Sequence, residues 1–140
     1  MNATVNIWAV VLAALSSMVV GTIWYGPLLG KQWMKLSGAD KVPQSKRMAM
    51  GPYLVSLLLL SLLMAYIIAH VTYLAHSFYS NSFLQDSVTT AFWLWLGIAL
   101  TRTVSTDLSE SKPRKLTLIN IGNQFVTILV MGLIIGLLPA

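Results

Sequence analysis

Residues 21–33 read GTIWYGPLLGKQW, and the order of these residues decides the fold. An uncharged apolar run ends in an aromatic pair, meets Gly26 and Pro27, and continues into Lys31 and Trp33. A helix in water has no need of that order, but a helix leaving a bilayer does. The amphipathic rings of Trp24 and Tyr25 settle at headgroup level. Pro27 cannot continue helical hydrogen bonding, and Gly26 tolerates the turn that follows. Lys31 and Lys35 then meet the anionic cytoplasmic face, with Trp33 as a second anchor. The residue types favour this interfacial belt over a dedicated binding role.

Composition extends the reading to the whole chain. Of 140 residues, 56% are hydrophobic and 9% charged, whereas a soluble domain carries about 25% charged residues because its surface must face water. So few charges cannot cover a soluble domain of this length, while the lateral surface of a membrane protein needs none. One integral-membrane domain, residues 1–140, is expected, with no room for a second. The formal charge of +5 raises the question of nucleic acid, but the positions of the charges answer it. Lysine and arginine occur at 31, 35, 41, 46 and 47, then at 102, 112, 114 and 115. Both clusters lie between apolar runs and lack the interleaved aromatic residues that bind single strands, so no nucleic-acid partner is expected. The absence of cysteine excludes disulfide and thiol chemistry and leaves the redox compartment unreadable. The first apolar run has no basic leading segment and is followed by bulky Trp-Tyr rather than a small-residue cleavage site, so it reads as retained.

A bilayer core about 30 Å thick needs about 20 apolar residues as helix. Runs at about 5–25, 51–75 and 116–138 meet that length, and a weaker one at about 87–106 carries Arg102. The fold class is therefore all-α, a polytopic four-transmembrane-helix bundle. Its loops at about 27–50 and 107–115 lie on one side, and all nine lysines and arginines belong to those loops or their edges. The other side holds the N-terminus, the HSFYSNSFLQD connection and the C-terminus, with none. Positive residues are retained in the cytoplasm, so both termini are expected outside.

GTIWYGPLLGKQW and the later LINIGNQFVTILVMG resemble the small bacterial membrane proteins grouped as domain of unknown function 1761. Those proteins carry a similar Gly-x-x-Trp-Tyr-x-Pro followed by Gly-Lys-x-Trp. The resemblance covers most of the chain and implies a four-span protein of a bacterial inner membrane, with no activity attached. The matching positions are Gly21, Trp24, Tyr25, Pro27, Gly30, Lys31 and Trp33.

Polar side chains inside apolar runs face a partner, water or a ligand. Asn120, Asn123, Gln124 and Thr127 fall at i, i+3, i+4 and i+7, one face of the fourth helix. They suit either a wall of a polar path or hydrogen bonds between helices, and the residue types favour the second. His70, with Tyr66 and Tyr73 on either side, suits proton relay or ligand binding, or a neutral ring bonded to a neighbour. A metal is not expected, since His76 is off that face, cysteine is absent and Asp86 is in another segment. Arg102 either snorkels to the interface or pairs internally with Asp107. Asp40, Asp86, Asp107 and Glu110 read as solvated charges at span ends or in loops.

Ala9, Ala13, Ser17 and Gly21 recur every fourth position, and Gly132 and Gly136 form a GxxxG. Such residues let backbones approach closely, so tight interfaces are expected on spans one and four, within or between protomers. No carboxylate pair within the membrane, Ser/His/Asp order or phosphate-cradling loop stands out, so neither an enzyme nor a cofactor is indicated. The leading functional reading is a homo-oligomer passing or binding a small solute along the asparagine stripe. The alternative is a non-transporting module that binds a lipid, an apolar ligand or a protein.

Overall fold

The computed structural model describes residues 4–139, so Met1 and Ala140, for which an outside location is expected, lie outside the described residues. The described residues form helices α1 (Ile7–Ile23), α2 (Gly30–Ser37), α3 (Met50–Tyr79), α4 (Phe83–Leu94), α5 (Thr101–Ser109) and α6 (Arg114–Leu137), with no strand among them. Two π-helical segments, Trp24–Leu28 and Trp95–Leu100, extend α1 and join α4 to α5. Four continuous runs, Ile7–Leu28, Met50–Tyr79, Phe83–Ser109 and Arg114–Leu137, are long and apolar enough to cross a membrane. The shortest has 22 residues, about 33 Å at helical rise. Around the bundle α1 lies between α3 and α6, and α4 lies between the same two helices on the opposite side.

Small residues set the packing. Ala9, Ala13, Ala65, Ala69 and Ala91 are buried, with Ile68, Ile128, Met131 and Ile135 filling the space they leave. Meanwhile Leu59, Leu60, Leu63 and Ile67 of α3 are exposed, an outward apolar surface suited to lipid rather than water. Without a hydrophobic force between helices in lipid, close backbone approach and hydrogen bonds hold such a bundle. A methyl group added at Gly132 would sit 2.7 Å from Ala91 Cβ, and one at Gly136 would sit 2.9 Å from Leu84 Cα. The glycine face of α6 therefore packs on α4, where the Ser87 hydroxyl donates to the Gly132 carbonyl at 2.7 Å. The face of α1 does different work: Ser17 Oγ donates to Ser61 Oγ of α3 at 2.8 Å, while Gly21 has open space around it.

The chain does not turn at Gly26-Pro27. In an α-helix Pro27 would lack a donor and press its ring on the carbonyl four residues back. The helix instead widens, with Leu29 N–H donating to the Trp24 carbonyl at 2.9 Å, and the break comes at Leu29 (φ −124°, ψ 10°). Helix α2 follows and ends on Gly38 in the left-handed region (φ 77°). Gly30 is required here because an added Cβ would collide with the Tyr25 carbonyl. At the other side the HSFYSNSFLQD stretch is mostly helix. Only Ser80–Ser82 lie between α3 and α4, and Ser82 caps α4 by accepting the Gln85 N–H at 3.2 Å.

Two acidic residues read as solvated are buried: Asp86 is 5% and Asp107 6% exposed. Asp107 accepts from the Thr117 hydroxyl at 2.7 Å and has Lys112 Nζ at 4.0 Å. Its pairing with Arg102 does not form; Arg102 is exposed. Lys112 donates to Glu110 at 3.0 Å, and this hydrogen bond to the carboxylate raises the pKa of the exposed ammonium.

Candidate functional site

Two polar regions stand out, one on each half of the bundle. The first is the α6 stripe, which the π segments meet side-on. The Trp24 indole N–H donates to the Ile119 carbonyl at 3.0 Å, and the Tyr25 hydroxyl donates to Asn120 Oδ1 at 2.8 Å. Gly122 makes room for this contact, since an added Cβ would lie 3.0 Å from Trp24 Cζ2. The Trp95 indole N–H reaches the Ile121 carbonyl at 3.2 Å from the second π segment. Gln124 and Thr103 of α5 exchange hydrogen bonds at 3.0 and 3.2 Å. Trp33 then packs edge-on to Tyr25 at 5.3 Å, while Lys31 is exposed. The polar atoms of Trp24 and Tyr25 are thus bonded to α6 instead of being free for headgroups.

Of the other stripe residues, Asn123 has its Oδ1 buried without a partner, and Thr127 is half-buried. His70 is not part of this group. It stacks on Tyr66 at 6.1 Å between ring centres, and its Nδ1 is buried with no partner. Arg102 bonds no stripe residue among the described residues. What the structure brings together is Trp24, Tyr25, Asn120 and the two backbone carbonyls beside it, a clamp across about one turn of α6.

The second region lies where the C-terminal end of α3 meets the N-terminal end of α4, and sequence spacing on single helices missed it. Of the five buried polar or charged side chains among the described residues, Thr72, Asp86, Ser87 and Thr90 are here. His76 Nδ1 is 2.8 Å from Asp86 Oδ2, and Asn81 Nδ2 donates to Asp86 Oδ1 at 3.2 Å. The His76 ring meets Phe83 edge-on at 5.3 Å. Beside the carboxylate a cleft of about 400 Å³ opens, with walls that include Tyr79, Asn81, Gln85, Asp86, Thr89 and Trp93. His76 is not one of its walls; it holds the carboxylate from another side. The cleft runs from the α3–α4 turn to Trp93 and Leu94, so it is polar at the turn and has apolar walls at its other end. The signal was present in the sequence: His76 and Asp86 are equidistant from Asn81 at the tip of a hairpin, which places them side by side.

Residues 8–136 match the model of a family described as Protein of unknown function (DUF1761), and the chain belongs to that family. No curated protein and no solved structure matches it.

Proposed function

We propose that this member of the DUF1761 family is a multi-pass protein of the bacterial cytoplasmic membrane that binds a small solute or a lipid headgroup in the α3–α4 cleft. Both termini face out in this reading, which follows from nine lysines and arginines on one set of loops and none on the other. The observation that carries the functional reading is a carboxylate, Asp86, buried to 5% exposure yet forming a wall of an open cleft. Burying a charge is costly unless it is paired, so a fold that does so beside a ligand-sized space has a use for it there. The α6 stripe gives less support to a path through one protomer, because Asn120 and Gln124 are engaged by Tyr25 and Thr103.

Filling the cleft tests this reading. Ala75 lines it, and Ala75→Phe should occupy the space without touching Asp86's hydrogen bonds. Native mass spectrometry of protein released from mild detergent should show a bound lipid or small molecule on the wild type and none on the variant. Identical spectra for the two, or no adduct on either, would mean the cleft holds nothing. A second reading, a homo-oligomer passing solute along α6, draws on the buried and unpartnered Oδ1 of Asn123.

A further inference from the structure

Resting on the cleft as a ligand site, we propose that its ligand carries an organic ammonium group, primary or quaternary, and that this cation replaces a proton at the His76–Asp86 pair. No lysine or arginine occurs between Arg47 and Arg102, so neither α3 nor α4 offers one to Asp86. Arg102 is sixteen positions along the same continuous run, about 24 Å away along the axis. Helix α1 carries no titratable side chain, and α6 carries none beyond Lys115. The titratable groups at this end among the described residues are His76 and Tyr79 of α3 and Asp86 itself, with His70 and Tyr73 further along α3. The imidazole is therefore the carboxylate's one source of positive charge from within these helices.

That source is conditional, because an imidazole is a cation only when both ring nitrogens carry protons. With His76 protonated the pair is neutral, and the cleft carries no net charge. With His76 neutral, the pair carries one uncompensated negative charge in a setting of low polarity, which a cation entering the cleft offsets. The geometry leaves room for it. His76 and Asn81 each occupy one carboxylate oxygen, and each oxygen keeps further lone-pair capacity. Tyr79 and Trp93 bring aromatic rings to the same walls, and aromatic faces attract ammonium groups. Gln85 and Thr89 add neutral acceptors. An anion would meet a carboxylate and no cationic side chain, and a neutral ligand would leave the charge unanswered. The proton balance is simple: a cation that binds the neutralised pair releases one proton from the imidazole.

The ammonium group could come from a soluble cation or from a lipid headgroup whose tail follows the apolar part of the cleft. Calorimetric titration of the full chain in phosphatidylglycerol nanodiscs, which contain no ammonium lipid, separates these sources. Choline is the probe, with its neutral carbon analogue as control. Choline should bind saturably and the analogue should not. Binding should weaken as the pH falls, because proton and cation compete for the pair. Asp86→Asn should abolish binding, and His76→Gln should keep it while flattening the pH dependence. Trp93→Leu, which alters an exposed ring and leaves the buried pair intact, should weaken choline about tenfold. It keeps the test decisive if the Asp86 variant fails to fold. Adding phosphatidylethanolamine should lower the apparent choline affinity if headgroups are the natural occupant, and leave it unchanged if soluble cations are. Equal binding of choline and its analogue, or choline binding unaltered by Trp93→Leu, would overturn the cation assignment while keeping the cleft as a ligand site. No binding of either probe, together with identical adduct spectra for wild type and Ala75→Phe, would remove both.

Discussion

The α6 stripe and the α3–α4 cleft are both polar patches in an apolar bundle, yet they spend their polarity in opposite ways. At the stripe, Asn120 accepts from Tyr25, Gln124 exchanges bonds with Thr103, and two tryptophan N–H groups close on neighbouring carbonyls. At the cleft, a buried carboxylate is held by His76 and Asn81 and still faces open space. The number of polar residues is therefore a poor guide to function in a membrane bundle. What matters is whether their hydrogen-bonding capacity is used up by the fold. The stripe is a lock, and the cleft is an opening with a carboxyl group in its wall.

The change expected to have the largest effect strikes the packing of α6 on α4. Gly136→Leu should separate α6 from α4, since even a Cβ there meets Leu84 Cα at 2.9 Å. A loss of about 3 kcal/mol is expected from such overpacking, measured as thermal or denaturant unfolding in detergent, with the cleft distorted as well. A variant as stable as wild type would mean that the two helices are not held at this distance.

Next comes the lock alone. Replacing Asn120, Asn123 and Gln124 together with leucine should cost about 2 kcal/mol, roughly 1 kcal/mol for each of the two bonded contacts. Ligand binding at the cleft should be retained per folded molecule, and loss of binding would erase the distinction between the regions. Tyr25→Phe, which removes one hydroxyl, should cost about 1 kcal/mol by the same measurement.

How much of this was legible in the sequence depends on the range of each interaction. Span length and charge bias are local, and the four helices and the two basic loops could be read directly. Gly26-Pro27 was misread as a turn because a π widening relieves Pro27 without ending the helix, and composition does not reveal which response a backbone takes. The stripe was visible as a period on one helix, but its partners were not. Tyr25 and Asn120 are 95 positions apart, and no spacing rule joins them. Asp86 was assigned to solvent because it lies near a helix end, whereas the tight Ser80–Ser82 connection folds His76 onto it. The GxxxG pointed to close packing without naming its partner, and the glycines lie against Ser87 and Ala91 of α4.

The smallest effects are expected at exposed positions. Thr89→Val, at an exposed cleft wall, should leave stability within about 0.5 kcal/mol. At the opposite side, Lys112 gains from Glu110, so its folded pKa is raised. A raised pKa on a cation means that its contribution is fully present below the unfolded value and is lost only as pH rises through the higher folded one. Lys112 should therefore show no titration near neutrality, which a carbon NMR titration of its side chain would check. A transition there would transfer part of any neutral pH response away from the cleft.

Whether the cleft is open and the stripe closed can be measured directly, because the chain has no native cysteine. Single-cysteine variants Thr89→Cys and Asn123→Cys are made in the full chain and exposed, in membrane vesicles of either orientation, to a membrane-impermeant maleimide. Thr89→Cys should label rapidly from one side and Asn123→Cys from neither. Labelling of Asn123→Cys at a rate matching Thr89→Cys would show water reaching the middle of α6. The stripe would then be a path rather than a lock.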